Sequence, residues 1–158
     1  MPVERGAPAR GAYCPGYAYS SRTMDRLDGK RPVVMVVDDD PLLRTCLAEL
    51  LAEFGYDTLT ECDGVSALDL LDNLSPSSDA MPVVMLVDVM MPRMDGYELA
   101  AALRSRAVVS GVPLIFMSSS KPASPDCPAQ DFLRKPFNIE RLMAAIGRAI
   151  PANGRLCN

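Results

Sequence analysis

Two unbroken apolar runs, Val33-Val34-Met35-Val36-Val37 and Val83-Val84-Met85-Leu86-Val87, dominate the hydrophobic pattern of the chain. A strand with one wet face alternates apolar and polar residues, so a continuous run predicts a strand covered on both faces. After the first run, Asp40-Pro41 supplies an N-cap and a proline at the first helical position. Leu43, Leu47, Leu50, Leu51 and Phe54 then recur at helical spacing until Gly55 stops the helix. Thr58 to Cys62 reads as a strand and Val65 to Leu74 as a helix. The second run is followed by a helix from about Gly96 to Ser105. Leu114 to Met117 reads as a fourth strand and Phe132-Leu133 as a short fifth. Asn138 caps a last helix with Ile139, Leu142, Met143, Ile146 and Ile150 on one face, closed by Pro151. Strands alternating with helices predict an α/β fold, a parallel sheet with helices on both sides. In such sheets chemistry collects at the carboxyl ends of the strands, near the point where strand order reverses.

Composition narrows the function classes. The 158 residues amount to one domain, and 49% apolar content suffices for a single core. Residues 1–30 carry a charge of +2 and are rich in Gly, Pro, Ser and Tyr without periodicity, which reads as a flexible tail. A translation start at Met24 is an alternative beginning. Residues 31–150 carry −7, and residues 151–158 read as a short C-terminal tail. An acidic body without a basic run argues against nucleic acid as a partner. The five scattered cysteines lack a C-x-x-C pair and read as reduced cytosolic thiols. No apolar run approaches transmembrane length, so the expectation is a soluble, cytoplasmic protein without membrane insertion. There is no histidine, so no mechanism can use a histidine base or ligand from this chain.

The candidate chemistry lies at the strand ends. Asp38, Asp39 and Asp40 follow the first buried strand, and Asp88 follows the third. If these strands are neighbours, Asp38, Asp39 and Asp88 converge on one pocket. Carboxylates about 4 Å apart repel by roughly 4 kcal/mol at an effective dielectric near 20, so such a cluster raises a pKa or recruits a cation. An all-oxygen set favours a hard ion such as Mg²⁺ over zinc. Ser118 ends the fourth strand and Lys135 follows the fifth, a hydroxyl and an ammonium suited to phosphoryl oxygens. Any one of these residues alone is more often a cap or turn residue, Asp40 above all. Their conjunction carries the signal.

Four segments, Val37-Asp38-Asp39-Asp40-Pro41, Val87 to Gly96 with its D-x-x-M-P-x-M-D-G pattern, Pro113 to Ser118, and Phe132-Leu133-Arg134-Lys135-Pro136-Phe137, resemble the bacterial response-regulator receiver domain. The resemblance covers about residues 31–150. It implies a doubly wound, flavodoxin-like sheet of five parallel strands in the order 2-1-3-4-5. It also implies that Asp88 accepts a phosphoryl group from a phosphohistidine on a sensor histidine kinase or phosphotransfer protein. Mg²⁺ would be bound by Asp39, Asp88 and the Met90 backbone carbonyl, with Asp38 acting through water. Ser118 would bond a phosphoryl oxygen, Lys135 would pair with Asp88 or its phosphate, and the Lys135-Pro136 bond could be cis. Phe132 matches the aromatic switch that follows the hydroxyl inward. A donor histidine in trans agrees with the absence of histidine here.

The chain departs from the family between Ser119 and Gln130, where Pro122, Pro125 and Pro128 oppose a helix at about 3 kcal/mol or more each. The fourth helix is expected to be missing or reduced to a turn. Ser75 to Asp79 lengthens the loop before the third strand without an evident role. Met90 is apolar where relatives often carry a polar residue that positions hydrolytic water, which predicts slow self-dephosphorylation. Met94 reads chiefly as a packing residue, while Phe132 and Tyr97 could equally be packing residues. With no effector segment after Ile150, the expected function is a stand-alone receiver, not an enzyme, signalling to an unknown downstream protein. Two other classes compete: a Mg²⁺-dependent haloacid-dehalogenase-type phosphatase with its nucleophile at Asp38, and an unphosphorylated interaction module. The phosphatase pattern is poorly met, since Pro41 and Leu42 stand where Thr or Val is usual. A flavin binder is weaker still, because three acids would repel the flavin phosphate.

Overall fold

The computed structural model describes residues 30–120 and 129–150. The expected tails fall almost wholly outside these residues, and so does most of the segment expected to replace a helix. Five strands, β1 (Val33–Val37), β2 (Asp57–Glu61), β3 (Pro82–Asp88), β4 (Leu114–Ser118) and β5 (Asp131–Arg134), form one parallel sheet in the order β2-β1-β3-β4-β5. Among the described residues four helices accompany it: α1 (Pro41–Glu53), α2 (Gly64–Asp72), α3 (Gly96–Arg104) and α4 (Ile139–Ala149). The expected fold class and strand order are those observed.

Alternation along the strands sorts the core into two layers. Val34, Val36, Val84, Leu86, Ile115, Met117 and Leu133 pack with Leu47 and Leu51 of α1 and with Leu142, Met143 and Ile146 of α4. Met35, Val37, Met85, Val87, Leu114 and Phe116 face the other way, onto Ala67, Leu68 and Leu71 of α2 and Leu99, Ala100 and Leu103 of α3. The strands buried on both sides are the ones whose sequences are unbroken apolar runs. The edge strands β2 and β5 are only partly buried. Their weaker apolar signal explains why β2 starts one residue before the expected Thr58, and why β5 is longer than Phe132-Leu133.

Helix starts follow local capping chemistry. Asp40 accepts bonds from the Leu42 and Leu43 N–H groups ahead of Pro41, as expected. Asp63 caps α2 through Ser66 N–H at 2.9 Å, and Asp95 with Glu98 forms a reciprocal capping box on α3. Gly55 ends α1 with φ 86°, a left-handed conformation that favours glycine.

Gly96 is required by close approach. A Cβ there would lie 2.6 Å from the Asp88 carbonyl oxygen and 3.0 Å from Val89 Cα, both unyielding backbone. At Gly147, within α4, a Cβ would meet nothing within 4 Å. Urea unfolding should show Gly96→Ala destabilised by about 1–3 kcal/mol. Gly147→Ala should instead be stabilised by roughly 0.5–1 kcal/mol, because alanine is the better helix former.

Candidate functional site

The β1–β3 ladder ends at Val37 paired with Val87, so the next residues on the two strands, Asp38 and Asp88, come side by side. Both continue the even-numbered positions that face α1 and α4. On β5 that face is marked by Leu133, and Lys135 is the next residue in phase with it. Alternation therefore sends Asp38, Asp88 and Lys135 to one side of the sheet edge. The Lys135 ammonium bonds Asp38 Oδ2 and Asp88 Oδ1, each at 2.6 Å. Asp38 is 0% exposed and Asp88 5%. Their remaining oxygens accept backbone bonds at 2.9 Å, Asp38 Oδ1 from Asp40 N–H and Asp88 Oδ2 from Met90 N–H. Arg44 of α1 donates to the Asp38 carbonyl at 2.6 Å. The Lys135-Pro136 peptide is cis.

Burial pushes the Asp88 carboxyl above its ordinary range. The Lys135 bond opposes this, while the neighbouring charge of Asp38 adds to it. Burial alone would lower Lys135, but its bonds to the two carboxylates outweigh that and raise it, so the ammonium stays charged. Two carboxylates and one ammonium leave one unit of negative charge in a largely desolvated corner. Excess negative charge, offered on oxygen atoms alone, is the donor chemistry of a hard divalent cation.

Asp39 stands apart from this pair. It lies in the bend after β1 and is exposed. Among the described residues no three His, Cys, Asp or Glu side chains group as metal ligands. Of the three carboxylates expected to converge, Lys135 bridges two, Asp38 and Asp88, and Asp39 is not part of that bridge. Ser118 and Phe132 follow the opposite phase, that of Phe116. Ser118 is 3% exposed and its hydroxyl accepts a bond from Ser120 N–H at 3.1 Å. Phe132 is partly buried on the α2/α3 layer, where Tyr97 meets Phe116 edge to face at 5.1 Å. Met90, beside the site, is 72% exposed.

A second polar cluster adjoins the site and was not anticipated. Arg93, in the β3–α3 loop, binds the buried Asp63 carboxylate through Nε at 3.0 Å and again through a terminal nitrogen, which also reaches Ser66 Oγ at 2.9 Å. Burial raises Asp63, but Arg93, Ser66 N–H and the Cys62 thiol together overcome this and hold it at about 2. Asp63-Gly64 between a strand and an apolar helix was a readable N-cap signal. Its partner thirty residues away was not, since only the fold brings the two loops together.

The model for the response regulator receiver domain matches residues 34–147. The chain belongs to that family. This receiver domain is 33% identical to protein PilG of Pseudomonas aeruginosa over 124 residues, 75% of this chain and 87% of PilG. It is 38% identical to response regulator MprA of Mycobacterium sp. over 116 residues, 70% of this chain but only 47% of MprA, so it spans about half of that relative. Among solved structures, chemotaxis protein CheY4 of Vibrio cholerae superposes with a TM-score of 0.67 at 27% identity, covering 75% of the receiver chain and 98% of CheY4. The receiver domain of a Pseudomonas aeruginosa sensor histidine kinase shares the fold at 22% identity with a TM-score of 0.66, covering 77% and 98%; it holds a magnesium ion in its active-site cleft. Among the described residues no helix is long and apolar enough to cross a membrane.

The raised Asp88 fixes the sign of a stability effect. A carboxyl higher in the folded than in the unfolded protein loses stability as pH rises through its folded value. Asp88→Asn removes that cost and leaves Lys135 its bond to Asp38. Thermal unfolding without metal at neutral pH should therefore show a higher midpoint for Asp88→Asn. The difference should shrink as pH falls toward the range where Asp88 takes up its proton.

Proposed function

We propose that this receiver accepts a phosphoryl group on Asp88 from a phosphohistidine of a sensor kinase or phosphotransfer protein, and signals by contact with a downstream protein. The observation that carries this is the setting of Asp88. It is a nearly buried strand-end carboxylate with a fixed ammonium on one oxygen and a backbone N–H on the other. In the transfer, an Asp88 oxygen attacks phosphorus, the P–N bond of the donor breaks, and its electron pair returns to the imidazole. An acyl phosphate results. Lys135, already shared between Asp38 and Asp88, lies where it can neutralise charge on the transferred group. Ser118, one residue beyond the β4 position paired with Asp88, is the nearby strand-end hydroxyl for a phosphoryl oxygen. Phe132 lies on the same layer and would follow it as the switch.

Asp39, Asp88 and the Met90 carbonyl would hold Mg²⁺, with Asp38 linked through water, and Mg²⁺ bound there supplies charge neutralisation for the phosphoryl oxygens. The residual negative charge of the Asp38–Lys135–Asp88 group supports that reading. The domain turns over no external substrate in this scheme; it modifies itself and is reset by hydrolysis. The phosphatase alternative needs Asp38 as nucleophile, and Pro41 and Leu42 stand where that family usually carries Thr or Val.

Incubation with radiolabelled acetyl phosphate should label wild type only when Mg²⁺ is present and should leave Asp88→Asn unlabelled. Label that survives in the mutant, or that forms equally in excess chelator, contradicts the proposal. The exposed apolar Met90 gives a second test. Its side chain offers no polar atom suited to orient attacking water, so Met90→Asn should shorten the phosphoryl half-life several-fold. An unchanged decay rate removes Met90 from the account.

A further inference from the structure

The loop from Asp88 to Gly96 carries the acceptor, the Met90 backbone and the cap of α3. Its middle is unusual. Arg93 has φ 66°, a conformation L-residues with side chains rarely adopt, and Met94 N–H closes a three-residue turn onto the Pro92 carbonyl at 2.8 Å. A three-residue turn whose central residue has positive φ is rare and strained, and such a conformation persists only where its surroundings hold it. Two contacts do so. The Arg93 guanidinium grips Asp63 and Ser66 at the start of α2. Met94 lies so close over Gly64 that a Cβ there would fall 2.7 Å from its side chain. On the other side of the turn, Gly96 N–H bonds the Val89 carbonyl at 3.0 Å, and Met90 N–H bonds Asp88 Oδ2 at 2.9 Å. The grip on α2 is thus relayed through a few residues of backbone to the acceptor carboxylate. Exposed ion pairs contribute little in general, but here one partner, Asp63, is buried and is itself fixed as the cap of a helix.

We propose that Arg93 is a positioning residue: clasped to Asp63 and Ser66, it holds the β3–α3 loop so that the Met90 backbone stays presented to Asp88 and to the metal. The part concerning the metal rests on the receiver function proposed above; the part concerning the loop does not. Arg93→Ala removes the clasp and keeps the turn unfavourable, Arg93→Gly removes the clasp but suits the positive φ, and Arg93→Lys keeps the charge with a poorer grip. Asp63→Asn retains a capping side chain and loses the charge.

The test uses the full chain and two readouts. Amide hydrogen exchange in metal-free protein should quicken by about tenfold at Met90, Met94 and Gly96 in Arg93→Ala and Arg93→Gly, while exchange in β1 and β3 is unchanged. A Mg²⁺ titration followed by the same amide signals should show half-saturation at about tenfold higher Mg²⁺ in Arg93→Ala and Asp63→Asn. Arg93→Lys should fall between these and wild type, and the Asp63→Asn/Arg93→Ala double variant should be no worse than either single one. Wild-type exchange and titration in Arg93→Ala overturn the proposal. So does Arg93→Gly behaving as wild type while Arg93→Ala is impaired, since turn geometry alone would then hold the loop. A wild type that binds Mg²⁺ but takes no label from acetyl phosphate defeats the phosphorylation reading, whereas the clasp is decided by exchange and titration alone.

Discussion

One ammonium group makes the functional end of this sheet possible. Asp38 and Asp88 emerge from adjacent strands at the same level, both almost without solvent, and would repel each other there. Lys135 sits between them with a 2.6 Å bond to each. Removing that ammonium would leave two carboxylates buried and uncompensated, a costly state. The bridge is still incomplete as neutralisation, because two carboxylates face one ammonium and burial keeps Asp88 raised. The site carries an electrostatic deficit that a cation would relieve. Burying Asp88 costs stability, and carboxyl groups raised in this way are common at functional sites.

The rest of the fold serves that bridge through a single regularity. Alternation along each strand, read from the two apolar layers, places Asp38, Asp88 and Lys135 on the α1/α4 side and Ser118 and Phe132 on the other. Asp88 and its charge partner therefore form one group, while Ser118 and Phe132 follow the phase of the layer packed on the opposite helices. A phosphoryl group on Asp88 would lie between the two, which is a physical basis for linking modification to a change in packing. The β3–α3 loop joins these layers, tied at one end to Asp88 and at the other to the cap of α2.

Much of this was legible in the residues. Continuous apolar runs marked β1, β3 and β4 because those strands are buried on both faces, and Asp40-Pro41 marked the start of α1 by local capping chemistry. Edges were less legible: β2 and β5 are half exposed, so their boundaries carry a weak apolar signal. The strand-end residues of the site could be named, yet their grouping could not be read from motif order alone. Counting phase along the strands would have separated Ser118 from Lys135. The pairing of Asp63 with Arg93 had no sequence signal, because it links two loops thirty residues apart and depends on a left-handed residue where arginine is not expected.

The central claim is that the covalent chemistry of this domain occurs at Asp88 and not at its bonded neighbour Asp38. Borohydride reduces an aspartyl phosphate to homoserine, so phosphorylation in the presence of Mg²⁺, reduction, and peptide mass spectrometry locate the acceptor directly. The account predicts homoserine at position 88 and unmodified aspartate at positions 38, 39 and 40. Homoserine at position 38, or no reduced residue in a chain that has bound label, would contradict it.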